Sequence, residues 1–197
     1  MSRVIPAVHN WPTNAALIAD VASLYLTKSD RILDVTYGRG RWWTEWQPDK
    51  LYTNDLHTDA DHHYDFRDMP FHTGEFAVVA YDPPYKLNGT PALGDFDNAY
   101  GIDTPTRWQD RMAYLLDGFT ECLRVASDLV LVKCMDQVCS GKIRWQTFEL
   151  TVAAANAGWL LVDRFDMLGG TREQPEGRRQ VHARGRGSSL LVFGSQP

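Results

Sequence analysis

The chain has 197 residues, 44% of them apolar, 12% aromatic and 23% charged, which is enough for one sizeable domain with its own core and too short for two comfortable ones. A formal net charge of -5 excludes a body coated in basic surface, and no run of about 18 apolar residues is present to span a membrane. The opening stretch breaks its hydrophobicity at Pro6, His9, Asn10 and Pro12, unlike a secretory signal. Cys122, Cys134 and Cys139 form no CxxC pair. They read as reduced thiols of a cytoplasmic protein, without a disulfide framework or a zinc spacing.

In chain order, Thr13 is a suitable N-cap for a helix over residues 14–26, with Leu17, Val21, Leu24 and Tyr25 on one face. A short apolar strand over 31–35 runs into Gly38, Gly40 and a helix start that carries Trp42 and Trp46 on one face. Further strands are expected at 51–55, more weakly at 64–66, and at 76–81. A long helix over 108–125 precedes a strand in DLVLVKCM, and a helix over 144–157 stops at Gly158. The last two strands, in WLLVDRFDML and SSLLVF, have no helix between them. Apolar strands alternating with helices predict an α/β fold, a mostly parallel seven-stranded sheet covered on both faces, with a terminal antiparallel hairpin. One domain is expected over residues 1–197, with no separate target-recognition domain. In such sheets ligands gather beyond the carboxyl ends of the strands.

Two motifs fall there. In ILDVTYGRGRWW, Asp34 and the pair Gly38 and Gly40 follow the first strand. The glycines allow a tight turn and a close backbone approach to a ligand. Asp55, 21 residues after Asp34, ends the second strand, where a carboxylate can take two ribose hydroxyls. A dinucleotide would need a third glycine where Trp43 stands. S-adenosylmethionine carries no phosphate and does not need it, and an acid in the loop suits its cationic methionine end. A glycine turn without any ligand is the alternative.

The second motif is EFAVVAYDPPYKL. Pro83 and Pro84 hold the chain extended and remove two N–H groups, leaving carbonyls and the Asp82 carboxylate as acceptors. Tyr85 adds an aromatic face. A rigid acceptor pair beside an aromatic plate matches a planar ring bearing an amine. Hydrogen bonds to Asp82 and to the Pro83 carbonyl would favour a tetrahedral nitrogen with its lone pair available, and fixing it in line with a sulfonium methyl supplies orientation. A Pro-Pro turn with a surface tyrosine is the bland alternative.

These stretches resemble the amino-methyltransferases of the D-P-P-Y type, which use S-adenosylmethionine to methylate exocyclic amines of nucleic acid bases. DVTYGRG resembles their cofactor loop, and DFRDMPFHTGEFAVVAYDPPY their acid, loop and D-P-P-Y run. HNWPTNAALIADVASLYL is similar to the helix that precedes the loop in many members, and VCSGKIRWQTFELTVAAANAGWLLVDRFDML to their late helix and strand. The resemblance covers nearly the whole chain and implies a Rossmann-like class I methyltransferase fold. It implies Asp34, Thr36, Gly38 and Gly40 around the methionine moiety, Thr13 and Asn14 at the cofactor carboxylate, Asp55 at the ribose and Asp65 at the cofactor's adenine amine. Asp82, Pro83 and Tyr85 would hold the target base, with Pro84 and Lys86 also on the substrate side. Tyr37 departs from the family pattern, as does the lack of a recognition domain.

Three other stretches were weighed. His57, Asp59, Asp61, His62 and His63 imitate a metal cluster but read as solvated loop residues, and no metal is expected. Residues 169–187 hold five Arg and two acids, net +3, against net -8 for the remainder. Arg178, Arg179, Arg184 and Arg186 in this loop are candidates for phosphate contact. The 23 residues of KLNGTPALGDFDNAYGIDTPTRW lack clear periodicity and suit a lid or base-reading loop.

The leading reading is methylation of adenine in DNA by flipping the base or taking single strands, with DNA favoured over RNA, no membrane partner, and a partner subunit or homodimer as possible company. The cytosine amine in DNA and guanine amines in RNA are alternatives within the class. A glutamine side chain is disfavoured, because related enzymes acting on it carry Asn where Asp82 stands. Outside the class stand a nicotinamide oxidoreductase and a non-catalytic binding module.

Overall fold

A computed structural model describes residues 4–87, 107–169, 180–183, 185 and 187–195. Strand β1 (Val8–His9), helix α1 (Asn14–Tyr25), β2 (Arg31–Asp34), β3 (Lys50–Thr53) and β4 (Phe76–Tyr81) make up the first half. Helix α2 (Trp108–Val125), β5 (Ala126–Cys134), β6 (Gln137–Cys139), β7 (Lys142–Arg144), helix α3 (Gln146–Asn156), β8 (Trp159–Met167) and β9 (Ser188–Ser195) follow. Seven strands form one sheet in the order β1-β8-β9-β5-β4-β2-β3, and β6 pairs with β7 in a separate hairpin. β2, β3, β4 and β5 run parallel, whereas β9 is antiparallel to both β5 and β8. The mostly parallel sheet with a terminal antiparallel hairpin is as the strand pattern predicts.

Alternation along the strands divides the core between two faces. Ile32, Val78, Ala80, Leu131, Leu190 and Val192 point to one side and pack against Leu17, Ile18 and Val21 of α1 and against Trp42 and Trp43. Leu33, Val79, Tyr81, Val130, Val132, Leu191 and Phe193 point to the other, against Leu115, Phe119 and Cys122 of α2 and Leu150 and Ala154 of α3. The three cysteines are buried free thiols. Among the described residues, no helix is long and apolar enough to cross a membrane.

Four local expectations change. Residues 64–66 form no strand, because the backbone of Tyr64 pairs with the Asn54 side chain, donating at 2.8 Å and accepting at 3.0 Å, and the isolated bridge beside it joins Asn54 to His62 instead. The seventh strand is instead β1, a two-residue piece that sequence periodicity cannot register; it pairs in parallel with Asp166 and Met167. The helix expected after Gly40 is a single 3-10 turn, Arg41–Trp43, since Trp42 and Trp43 both turn inward and leave no amphipathic stripe to extend. Leu24, placed on the buried face of α1, is 51% exposed. Elsewhere α2 has the predicted bounds, and Gly158, at φ 81°, ends α3 in a conformation that costs a residue without Cβ little.

The strand order reverses between β2 and β4: from β2 the chain steps outward to β3, then crosses back to β4 on the other side. The crevice at such a switch point is where an open α/β sheet can hold a ligand.

Candidate active site

Three segments converge on that crevice. The first follows β2. Asp34 is 4% exposed, and its carboxylate accepts the Trp43 indole N–H at 2.7 Å and the Thr36 backbone N–H at 3.0 Å. Burial outweighs these bonds and pushes the pKa up to about 7, with the carboxylates of Asp82 and Asp55 pushing the same way. Gly38 and Gly40 both have positive φ, 57° and 65°, but they serve different ends. A Cβ on Gly40 would strike the Tyr37 ring, while one on Gly38 would meet only the Thr36 carbonyl at 3.9 Å. Gly40 thus makes room for Tyr37.

The second segment follows β3. Asp55 accepts the backbone N–H of Gly38 at 2.9 Å on one oxygen, and those of His57 at 2.9 Å and Thr58 at 3.0 Å on the other. It ties the glycine loop to its own loop, and its remaining acceptor capacity faces the crevice. The His/Asp-rich stretch beyond it knits the same loop. Asp61 accepts the Thr53 N–H at 3.0 Å and the Thr53 hydroxyl at 2.9 Å, His63 Nδ1 lies 2.8 Å from the Asp55 carbonyl, and His62 stacks on Tyr64.

The third segment is the corner after β4. The Asp82 N–H donates to the Thr36 hydroxyl at 2.8 Å, and its carboxylate accepts the Trp42 indole N–H at 3.1 Å. Burial raises the Asp82 pKa, opposed by the charge of Lys133 and by the Trp42 bond. Pro83 and Pro84 are buried. The Tyr85 carbonyl accepts two side-chain amides, from Gln137 at 2.7 Å and from Gln146. These glutamines are fixed in turn by the Leu87 N–H on Gln137 at 3.1 Å and the Met135 N–H on Gln146 at 3.0 Å. The corner is thus fastened to the starts of β6 and α3, and two buried donors are satisfied in doing so.

Together these segments line one cavity of about 700 Å³ that holds Asn14, Asp34, Thr36, Gly38, Asp55, Asp82 and Tyr85, with Trp42 and His57 beside them. Other sequence-derived candidates lie elsewhere. The Thr13 hydroxyl accepts the Ala16 N–H at 3.0 Å as the α1 N-cap and donates to Glu45 at 3.1 Å. Asp65 lies apart from this cavity: Arg67 grips its carboxylate at 2.6 Å and lowers its pKa, and the pair lines a separate cavity with Asp117 and Glu121. Lys86 is exposed, and its carbonyl accepts from Arg111 at 3.2 Å. Arg178, Arg179, Arg184 and Arg186, and the central part of the candidate lid, residues 88–106, lie outside the described residues.

Sequence reasoning missed the supports. Trp42, expected only as one of two tryptophans on a helix face, lines the cavity and bonds Asp82. Gln137 and Gln146 carried no signal, because their role depends on a partner 52 and 61 residues away. Lys133 did carry one: a charge inside the apolar run DLVLVKCM is out of place unless paired.

No protein-family model matches the sequence, and no curated protein matches it. Solved structures do resemble the fold. A protein of Pyrococcus horikoshii assigned as an RNA methyltransferase superposes with a TM-score of 0.57 at 11% identity, covering 92% of this chain and 82% of its own. The magnesium protoporphyrin IX methyltransferase of Synechocystis, solved with S-adenosylmethionine bound, gives 0.51 at 8% identity over 92% and 76% of the two chains. The 1,6-didemethyltoxoflavin-N1-methyltransferase of Burkholderia thailandensis, solved with 1,6-didemethyltoxoflavin and S-adenosylhomocysteine, gives 0.52 at 10% identity over 93% and 79%. The chain has the Rossmann-like fold shared by class I S-adenosylmethionine-dependent methyltransferases.

Proposed function

We propose that the protein binds S-adenosylmethionine in the 700 Å³ cavity and methylates an exocyclic amine of a nucleic acid base, adenine in DNA being the leading substrate. The observation that carries this reading is the meeting of Asp34, Asp55 and Asp82 in one cavity, with Tyr85 on its wall. The residues fit the cofactor. A carboxylate whose pKa burial pushes up to about 7 gains a partner when an ammonium arrives, which suits Asp34 to the methionine end. Asn14 is suited to the carboxylate, and Asp55 to ribose hydroxyls. Trp43 fills the place of a third glycine and bonds Asp34, which disfavours a dinucleotide.

When bound, the cofactor supplies an electrophilic methyl group on a sulfonium. The chain's own task is to present the amine. Asp82 accepts one N–H of that amine, the Pro83 carbonyl accepts the other, and Tyr85 stacks on the ring. These two acceptors would leave the nitrogen lone pair free to face that methyl group, and Asp82 or solvent would take the proton the amine gives up on methylation. Burial of Asp82 strengthens its hydrogen bond to the amine. The fold-level relatives act on unlike substrates, so the base assignment rests on the corner and on the D-P-P-Y resemblance.

The test is incubation with methyl-labelled S-adenosylmethionine and, separately, single-stranded DNA, duplex DNA, RNA and protein, followed by digestion and mass spectrometry. N6-methyladenine from DNA is the expected product. Methylcytosine or methylguanine would reassign the base, and label only in protein would overturn the reading.

A further inference from the structure

We infer that Lys133 is a positioning residue for the methyl-transfer corner: its buried ammonium holds Asp82 as the carboxylate and links it to Asn14 at the start of α1. This rests on the reading of Asp82 as the amine's acceptor given above.

The topology makes the two residues neighbours. β4 and β5 are parallel and pair Tyr81 with Val132, so Asp82 and Lys133 follow side by side on adjacent strands. Alternation sends both to the α1 face, the side already taken by Ala80 and Leu131. There Lys133 is 2% exposed. Its Nζ donates to the Asn14 side-chain carbonyl at the start of α1 and lies 3.7 Å from the Met167 sulfur, a weak acceptor. Neither partner carries charge.

A cation taken out of water in this way needs a counter-charge. Burial lowers the Lys133 pKa, opposed first by the charge of Asp82 and then by Cys134; reciprocally, Lys133 is the charge that opposes the upward push on Asp82. The groups around Asp82 come from every element on the cavity. Asp34 and Asp55 line the same cavity, and the Trp42 indole donates to the Asp82 carboxylate. Arg39 and Arg41 are exposed on the rim, where water screens them, and His57 and the Tyr85 phenol complete the lining. Lys133 is therefore the desolvated cation that offsets the burial of Asp82. A methionine would fill the same stem volume without the cost of burying a charge, so packing alone does not account for a lysine here.

Without that cation, Asp82 would stay protonated to higher pH. A protonated carboxyl can donate to the amine nitrogen and occupy the lone pair that must attack. The acid limb of the rate profile should therefore report Lys133.

Wild type, Lys133→Met and Lys133→Arg would be compared by two measurements. One is carboxyl-carbon NMR titration of 13C-aspartate protein, with Asp82 assigned through Asp82→Asn. The other is the pH dependence of single-turnover methylation of a single-stranded adenine-containing oligonucleotide at saturating S-adenosylmethionine. Loss of the charge in Lys133→Met should raise the Asp82 titration by about one to three pH units and move the acid limb by the same amount, whereas Lys133→Arg should titrate near wild type. An Asp82 titration in Lys133→Met that matches wild type would overturn the inference. The wild-type titration stands even where neither variant folds, because an Asp82 found protonated at pH 7 overturns it as well. The NMR arm needs no substrate. A shifted titration without oligonucleotide methylation by the wild type would thus count against the base reading while upholding the Lys133–Asp82 coupling.

Discussion

The backbone N–H of Asp82 donates to the Thr36 hydroxyl at 2.8 Å, a bond across 46 residues that joins the glycine loop after β2 to the Pro-Pro corner after β4. Because Pro83 and Pro84 have no N–H, Asp82 carries the last donor of the strand. Thr36 uses it and so sets where the carboxylate points. The cofactor side and the acceptor side of the proposed reaction are thereby parts of one rigid unit.

That unit has two functions that mutation should separate. Asp82→Ala is expected to lower methyl transfer by about 10²–10³-fold, the scale for losing one preorganised electrostatic partner, with cofactor affinity nearly intact. Asp55→Ala should instead weaken cofactor binding by about 10–100-fold, because hydrogen bonds to a charged group contribute roughly 1.5–3 kcal/mol. Calorimetry with S-adenosylmethionine alongside single-turnover rates distinguishes the two. Equal loss of cofactor in both variants would refute the division of roles.

Asp34 should make cofactor binding depend on pH. Its pKa stands at about 7 against a reference of 3.8, so the native state retains a proton that the unfolded chain gives up. Its contribution to stability is therefore fully present below about pH 4 and is lost as pH rises to about 7. Binding of an ammonium needs the ionised form, so affinity should increase up to about tenfold per pH unit below 7 and then level off. Asp34→Asn should flatten both trends. Calorimetric titrations and urea melts from pH 5 to 8 check the two signs independently; an affinity independent of pH in the wild type would remove the ammonium from Asp34.

Gln137 and Gln146 should act as fasteners of the corner. Replacing either by Ala leaves the Tyr85 carbonyl with one amide fewer and strands a buried backbone N–H, of Leu87 or of Met135. A destabilisation of about 1–3 kcal/mol is expected for each, with a lower turnover rate and little change in cofactor affinity. Urea unfolding and single-turnover kinetics give both numbers, and wild-type turnover in the double variant would show that the corner holds its shape without them.

Gly118 offers a test of the core behind the site. A Cβ there would run into the Phe66 ring and the Tyr81 hydroxyl, and Tyr81 in turn donates to the Leu115 carbonyl at 3.2 Å. Gly118→Ala should cost about 1–3 kcal/mol by overpacking, despite the better helix propensity of alanine. A variant that melts at or above the wild-type temperature would mean that α2 can shift away from β4.

Length, alternation and breakers were sufficient for much of the architecture. The apolar runs of β2, β4, β5 and β9 could only be strands buried on both faces, and the amphipathic spacing of α2 together with the glycine after α3 set helix bounds without tertiary information. The same local chemistry made Asp82-Pro83-Pro84-Tyr85 legible as a rigid acceptor corner, since the constraints of proline act within one or two residues. Other features depended on partners far along the chain. β1 exists because Asp166 and Met167 offer an edge, and Gly40 is glycine because Tyr37 folds over it. The ion pair of Asp65 with Arg67 was set by their local turn, while Trp42, Gln137, Gln146 and Lys133 became supports only once β4, β5 and α3 were brought together. Periodicity and steric punctuation are local and can be read from the chain. Side-chain hydrogen bonds and desolvated charges depend on which strands lie side by side, and that was decided by the three-dimensional fold.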